Sequence, residues 1–193
     1  MDMRIVKEIN FLDDDRMLVK LAWLQIILFL PLLGLLVFLL SLDPAFNVTF
    51  GANGGSFEIT GEAIGAVLGG IALTGAIIVV HELIHGLAFK FFGDENTKVK
   101  YGFTKGMFYA SCPDAQYVPR HFVVILAAPT VINTVILVAI CALGWPAIGG
   151  IALFMHTLGC VGDWYMLWQM FRARGTYDLC VDTPTGIMLG KRS

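Results

Sequence analysis

Residues 76–86 read AIIVVHELIHG, so two histidines and a glutamate follow directly after an unbroken apolar run. On a helix, positions i and i+4 face the same way, and the side chains of His81 and His85 can therefore reach one metal ion. Glu82 stands beside the first histidine, where its carboxylate can accept a proton from a metal-activated water. This HExxH pattern predicts a zinc site with His81 and His85 as ligands and Glu82 as catalytic base.

The surroundings of this pentapeptide are those of a membrane helix. The apolar segment that carries it runs from about residue 63 to 92. At about 1.5 Å per residue it exceeds the roughly 30 Å of a hydrocarbon core. Ionisable groups at membrane depth cost on the order of 3 kcal/mol each, so they are functional by default. The alternative is a hydrogen-bonded histidine pair in the core of a helix bundle.

The composition of the whole chain points the same way. Of 193 residues, 57% are hydrophobic and 15% charged, against about 45–50% and about 25% in average soluble domains. The excess lies in long blocks nearly free of charge, which a soluble protein of this size could not bury. We therefore expect an all-α membrane protein, a single membrane-embedded domain over residues 1–193, with transmembrane helices at about residues 21–42, 63–92, 121–143 and 148–171.

Basic residues predict how these helices are oriented. All thirteen Lys and Arg lie before the first helix, at or between the facing ends of the second and third, or after the fourth. The loops 43–62 and 144–147 contain none. The positive-inside rule then places both termini and the 93–120 loop in the cytoplasm, and a prokaryotic plasma membrane is the expected location. The net charge of −2 argues against a nucleic-acid partner, which would favour a basic surface.

Two cytoplasmic segments have patterns of their own. Residues 98–103 alternate between apolar side chains and lysine or glycine, and Thr104-Lys105-Gly106 offers a turn. This pattern predicts a small β-hairpin within residues 94–118, between helices two and three. The hairpin would either cover the helix bundle or offer an edge strand on which an extended substrate is held by β-augmentation. Residues 172–193 are expected to form a short strand or an irregular tail in the cytoplasm.

A catalytic zinc site requires a third protein ligand and an open position for water. Helix four offers His156, Cys160 and Asp163, which share one face because they are spaced four and three residues apart. Depth separates these candidates. Asp163 lies roughly two to three turns before the cytoplasmic end of its helix, as His81 and His85 do, whereas His156 lies about two turns deeper. Asp163 is therefore the preferred third ligand, and His156 is the alternative.

Helix three carries a further candidate in the stretch APTVIN at 128–133. Pro129 lacks an amide hydrogen and frees a carbonyl in the preceding turn. Asn133 is predicted to be a buried amide that positions a substrate carbonyl near the metal, and an interhelical hydrogen bond is an equal alternative. His121, at the predicted membrane boundary, is interpreted as an interfacial residue.

These motifs resemble those of the site-2 protease class of intramembrane zinc metalloproteases. They look closest to a small branch of membrane zincin peptidases of unknown substrate. The resemblance rests on HELIHG at 81–86, APxxxN at 128–133 and the Gly162-Asp163 pair, and it covers roughly residues 62–172. The sequence departs from the larger proteases at Trp164-Tyr165, which follow the aspartate, and it has no room for a PDZ or CBS regulatory domain.

The resemblance implies one zinc ion per chain, bound by His81, His85 and Asp163, with Glu82 as general base. It also implies hydrolysis of peptide bonds in a membrane protein or peptide substrate, in or near the cytoplasmic half of the bilayer. The alternative function is a non-catalytic zinc-binding membrane scaffold or regulatory protein of the same fold, which would not need Glu82. A transporter is less favoured, because the four helices show no internal repeat.

Overall fold

A computed structural model describes residues 3–10, 15–46, 48–51, 54–57, 61–95, 97–104, 107–113, 115–183 and 185–192, and this part of the chain is mostly helical. The helices are α1 (Asp15–Ser41), α2 (Gly61–Phe92), α3 (Pro119–Ala142), α4 (Pro146–Gly159) and α5 (Val161–Arg172). The strands are β1 (Met3–Asn10), β2 (Val48–Gly51), β3 (Gly54–Phe57), β4 (Lys100–Thr104), β5 (Met107–Ser111), β6 (Gln116–Tyr117), β7 (Leu179–Thr183) and β8 (Gly186–Arg192).

The chain is a membrane protein with three to four candidate spans. Helices α1, α2 and α3 are long and apolar enough to cross a membrane, and α4 with α5 adds a fourth candidate if the bent pair is one span. Large apolar side chains on α1, such as Trp23, Ile27 and Leu30, are exposed. Such exposure is expected where lipid, and not water, is the solvent of the helix surface.

The predicted fourth helix, at residues 148–171, is not one continuous helix. It is interrupted at Cys160, which separates α4 from α5. Gly159 and Gly162 flank the break. Glycine is among the poorest helix formers, so two of them close together lower the cost of interrupting the helix at this point.

Strands from both ends of the chain, together with β6, form a four-stranded antiparallel sheet, so the all-α prediction was incomplete. The strand order is β1-β8-β7-β6. Ile9 pairs with Ile187, and Cys180 pairs with both Leu189 and Tyr117. The predicted tail at 172–193 therefore contains two central strands of a sheet. The strands of this sheet come from three distant segments, whose pairing is not visible in any local pattern.

Two further sheets have two strands each. In the predicted hairpin region, β4 pairs with β5, with Tyr101 opposite Ala110 and Phe103 opposite Phe108. Lys105 and Gly106 of the predicted turn lie outside the described residues. The cytoplasmic position of this hairpin stays a prediction. The other pair, β2 with β3, lies in the 43–62 loop, where no strand was expected from the sequence.

The chain divides into two compact units. The first contains Met1–Leu24, Val79–Val131 and Cys160–Ser193, and therefore the whole four-stranded sheet, the β4–β5 hairpin and α5. Its core is built from apolar side chains of the sheet and of α2, α3 and α5, among them Ile9, Phe89, Tyr117, Phe122, Ile125, Tyr165, Met170 and Leu189.

The second unit contains Gln25–Ile78 and Ile132–Gly159. Its buried cluster consists of Ile77, Leu137, Ala152 and Leu153. Gly70 on α2 lets this helix approach α4 closely, because a Cβ atom at that position would overlap the side chain of Ile151. Small residues at helix contacts are typical of membrane proteins, where association depends on close packing.

Candidate metal centre

Three predicted ligand side chains converge in the first unit. His81 and His85 stand one turn apart on α2, with 4.8 Å between their ring centroids. Asp163 lies in the first turn of α5, a position set by the restart of the helix after Cys160. Its Oδ2 atom is 3.1 Å from Nε2 of His81 and 3.5 Å from Nε2 of His85. One ligand atom from each of the three residues lies within 4.8 Å of the others.

A carbonyl that a proline leaves free holds the ring of His85. In a regular α-helix the carbonyl of Ile125 would accept the amide hydrogen of residue 129. That residue is Pro129, inside α3, and it has no amide hydrogen. The Ile125 carbonyl instead lies 2.9 Å from Nδ1 of His85. A carbonyl oxygen only accepts, so Nδ1 carries the proton and donates it, and Nε2 remains available to a cation.

His81 is oriented in the same way. Its Nδ1 atom lies 3.9 Å from Sγ of Cys160, the residue at the break between α4 and α5. Its Nε2 atom is the one that faces Asp163. Both imidazoles therefore direct Nε2 towards the carboxylate and Nδ1 towards another partner.

The β4–β5 hairpin lies against the same helix. Glu82 and Gly86 are four residues apart and share a face of α2. The backbone N–H of Ala110 on β5 donates a hydrogen bond to the carboxylate of Glu82. Tyr101, which pairs with Ala110 across the hairpin, places its phenol against Gly86, where a Cβ atom would overlap the hydroxyl group. The hairpin thus contacts the helix both at the predicted catalytic base and one turn beyond it.

Gly86→Ala is expected to lose the stabilisation that alanine normally brings to a helix interior, because the Tyr101 phenol must move away to relieve the overlap. Without such an overlap, replacing glycine by alanine in a helix gains up to about 1 kcal/mol. Gly75→Ala on the same helix is the matched control, because no atom lies within 4 Å of its Cβ position. Thermal unfolding in detergent would measure both. In a Tyr101→Ala background the two alanine variants should be stabilised equally. A difference in stability that persists there would mean that the phenol is not its cause.

Two further predicted site residues are described with their own unit. Asn133 and His156 belong to the second unit, and both are buried. Within the described part of the chain, neither Nδ2 nor Oδ1 of Asn133 has a hydrogen-bond partner. Their roles as substrate-positioning residue and alternative ligand stay predictions. His121, at the start of α3, stacks on Phe92 with 4.5 Å between ring centroids.

Sequence reasoning missed the partners that surround the three converging side chains. Gly86 follows the HExxH motif directly, but only the structure shows that the phenol of Tyr101 lies against it. Asp182 is the single charged residue of strand β7, LCVDT. It is buried, and its burial raises the pKa of Asp182 to about 7. Its Oδ2 atom accepts a hydrogen bond from the amide of Cys112 over 2.9 Å.

Comparisons with known proteins give two family matches. A family model described as "Putative zincin peptidase" matches residues 75–177, more than half of the chain. The matched span contains His81, Glu82, His85 and Asp163. A second model, described as "Phospholipase_D-nuclease N-terminal", matches residues 3–41, which hold β1 and α1. No curated protein and no solved structure matches the chain.

Proposed function

The chain belongs to the family described as putative zincin peptidases, and from that membership we propose that it is a zinc metallopeptidase that hydrolyses peptide bonds of membrane-associated substrates. The observation that carries the proposal is the convergence of His81, His85 and Asp163, with Glu82 next to the first histidine on an apolar, membrane-length helix.

The donor set fits zinc. Two imidazole nitrogens and one carboxylate oxygen are a known ligand set of catalytic zinc, which leaves a fourth position open. Each imidazole has a partner on its other nitrogen, the carbonyl of Ile125 or the thiol of Cys160, as ligating histidines usually do. We therefore assign His81, His85 and Asp163 as ligands of one zinc ion per chain. When bound, zinc supplies a Lewis acid that polarises a carbonyl and lowers the pKa of water.

Glu82 acts as the general base in this proposal. Its carboxylate accepts a proton from the attacking water and delivers it to the leaving amine. The amide of Ala110 orients that carboxylate by donating a hydrogen bond to it. A preset orientation matters because a general base must reach the proton that it removes within hydrogen-bonding distance.

Strand β5 is the proposed place for an extended substrate. The backbone amides of alternate residues in a strand point to the same edge, so the amide of Phe108 points to the same edge as that of Ala110. This is the edge that faces Glu82. The amide of Ala110 is already bound to Glu82, so an extended peptide would pair with this edge at Phe108 and run beside the base. Because peptide bonds within a helix are shielded, a transmembrane substrate must unwind locally, and the edge would hold the unwound segment.

We also propose an orientation in the membrane. With α4 and α5 counted as one bent span, every Lys and Arg of the chain lies on one side, and the positive-inside rule makes that side cytoplasmic. Both termini then lie in the cytoplasm, and the metal centre lies near the cytoplasmic end of α2. A prokaryotic plasma membrane is the proposed location.

The experiment that tests the proposal is metal analysis of the detergent-purified protein, followed by substrate capture. The wild type is expected to contain about one zinc per chain, in line with a single three-residue ligand set. Glu82→Gln, expressed in membranes, would bind substrates without cleaving them, and mass spectrometry identifies the captured proteins. The same proteins should show new termini in membranes that contain the wild type. A wild-type protein that contains no zinc after purification with zinc supplied would refute the proposal.

Pro129→Ala is expected to weaken zinc binding about tenfold, the lower end of the effect of losing an outer partner of a metal ligand. An alanine at position 129 would supply the missing amide, and the helix bond would draw the Ile125 carbonyl away from His85. The loss is partial because the carbonyl has two lone pairs. Competition with a zinc chelator measures the affinity. Pro31→Ala, inside α1, is the matched control and should leave it unchanged. Equal affinities in both variants would exclude this role of Pro129.

A further inference from the structure

We propose that Asp182, on strand β7 of the C-terminal tail, is a positioning residue that holds strand β5 in place, so that the amide of Ala110 can orient Glu82. The inference deepens the proposed function and rests on it for the catalytic role of Glu82. It gives the tail sheet a part in arranging the catalytic base, although no residue of that sheet contributes a predicted ligand.

The contact between Asp182 and β5 is direct and buried. Oδ2 of Asp182 accepts a hydrogen bond from the amide of Cys112, the residue after β5, over 2.9 Å. Asp182 is 6% exposed and Cys112 is fully buried. Burying a carboxylate is costly unless its hydrogen bonds are satisfied, so such a group is retained where its bond fixes a particular arrangement.

Two carboxylates hold the same edge of one strand. Ala110 and Cys112 are two residues apart, so their amides point to the same side of the extended chain. Glu82 of α2 accepts the hydrogen bond of the first amide, and Asp182 of β7 accepts that of the second. A shift of β5 that broke the bond to Asp182 would therefore also move the amide that orients Glu82.

The tail sheet is itself fixed, which allows Asp182 to serve as an anchor. Strand β7 pairs with β8 on one side and with β6 on the other. Tyr117 of β6 pairs with Cys180, and its hydroxyl group donates a hydrogen bond to the carbonyl of Phe89 on α2. The segment that follows β5 therefore contacts β7 twice, through the hydrogen bond of Cys112 and through the pairing of β6. Through Tyr117 it also contacts α2, the helix that carries His81 and His85.

Amide hydrogen exchange resolved to single residues tests this role in the zinc-free or zinc-loaded protein, without any substrate. In the wild type the amides of Ala110 and Cys112 should both exchange slowly. Asp182→Ala should speed both by about tenfold or more. Glu82→Ala should speed only the amide of Ala110. Asp182→Asn keeps an acceptor oxygen and should keep both amides slow.

Asp178→Ala is the matched control, since Asp178 also accepts a backbone amide, that of Arg192, at the far end of the same strand pair. In the Asp178→Ala variant the amides of Ala110 and Cys112 should both still exchange slowly. If Asp182→Ala does not fold, Asp182→Leu removes the acceptor while filling the volume. Faster exchange at Cys112 alone would overturn the proposal, because β5 would then stay in place without Asp182. Equally faster exchange at Phe122 and Ile125 would also overturn it, since the whole core would have loosened.

The outcomes separate this inference from the proposed function. Zinc content of the wild type decides whether the metal centre exists. The exchange pattern decides whether Asp182 positions β5, and it does not depend on zinc or hydrolysis. Zinc content of Asp182→Ala should equal that of the wild type, because the assigned ligands lie on α2 and α5; a loss of zinc would show that Asp182 acts on the ligands and not through β5.

Discussion

Replacing Glu82 by glutamine is expected to leave zinc binding intact and to lower peptide hydrolysis about 10²–10⁴-fold, the usual contribution of a general base. Glutamine keeps the size of the side chain and can still accept the hydrogen bond from Ala110, but it cannot take up a proton at neutral pH. The measurement is the initial rate of cleavage in reconstituted vesicles, with the zinc content of each sample determined in parallel.

Glu62→Gln provides the matched control for this variant. Glu62 lies in the first turn of the same helix, α2, and is exposed. The Glu62→Gln variant should hydrolyse substrate at the wild-type rate. If Glu82→Gln cleaved as fast as Glu62→Gln, the general-base assignment would be wrong. A wild-type protein that binds zinc and cleaves none of the proteins that Glu82→Gln captures would favour the non-catalytic scaffold instead.

Removal of a proposed ligand is the second large effect. His85→Ala and Asp163→Ala are each expected to weaken zinc binding by more than about 100-fold, because even the outer partners of metal ligands are worth about 10–100-fold. Loss of either side chain removes one of the three proposed protein donors. Hydrolysis should fall to background in both variants. Zinc content after dialysis against a chelator of known affinity measures the effect.

Two substitutions of the same residue types serve as controls. His121→Ala removes a histidine that stacks on Phe92, and Asp178→Ala removes an aspartate that is bound to a backbone amide. Neither should change zinc affinity. Unchanged zinc in Asp163→Ala, together with its loss in His156→Ala, would transfer the role of third ligand to His156. Unchanged zinc in His85→Ala would exclude the whole centre.

Local patterns predicted the parts of this protein that depend on neighbours in the sequence. Long uncharged blocks predicted membrane helices because the bilayer requires about 20 consecutive apolar residues. The HExxH spacing predicted which α2 side chains share a face because helix geometry fixes the relation of i to i+4. The preference for Asp163 over His156 came from counting turns along a helix. The structure places Asp163 close to both histidines, and its role as third ligand stays a prediction.

The break at Cys160 marks a limit of that reasoning. Residues 148–171 have the length and apolar character of one span, and periodicity alone does not distinguish a straight helix from a bent pair. The pair of glycines around Cys160 was the available signal. The four-stranded sheet was missed for a related reason, since β1 and β8 are at opposite ends of the chain and pair through register and not through any local motif.

The sequence by itself therefore determined the membrane class, the helix that carries the motif and the identity of its two histidines and glutamate. Only the tertiary structure decided what orients them. The bond from His85 to the Ile125 carbonyl spans 40 residues of sequence, and that from Cys112 to Asp182 spans 70. Spacing within one helix follows from backbone geometry, whereas contacts between distant segments exist only once the elements have packed, because packing selects which free carbonyl, carboxylate or glycine each side chain meets.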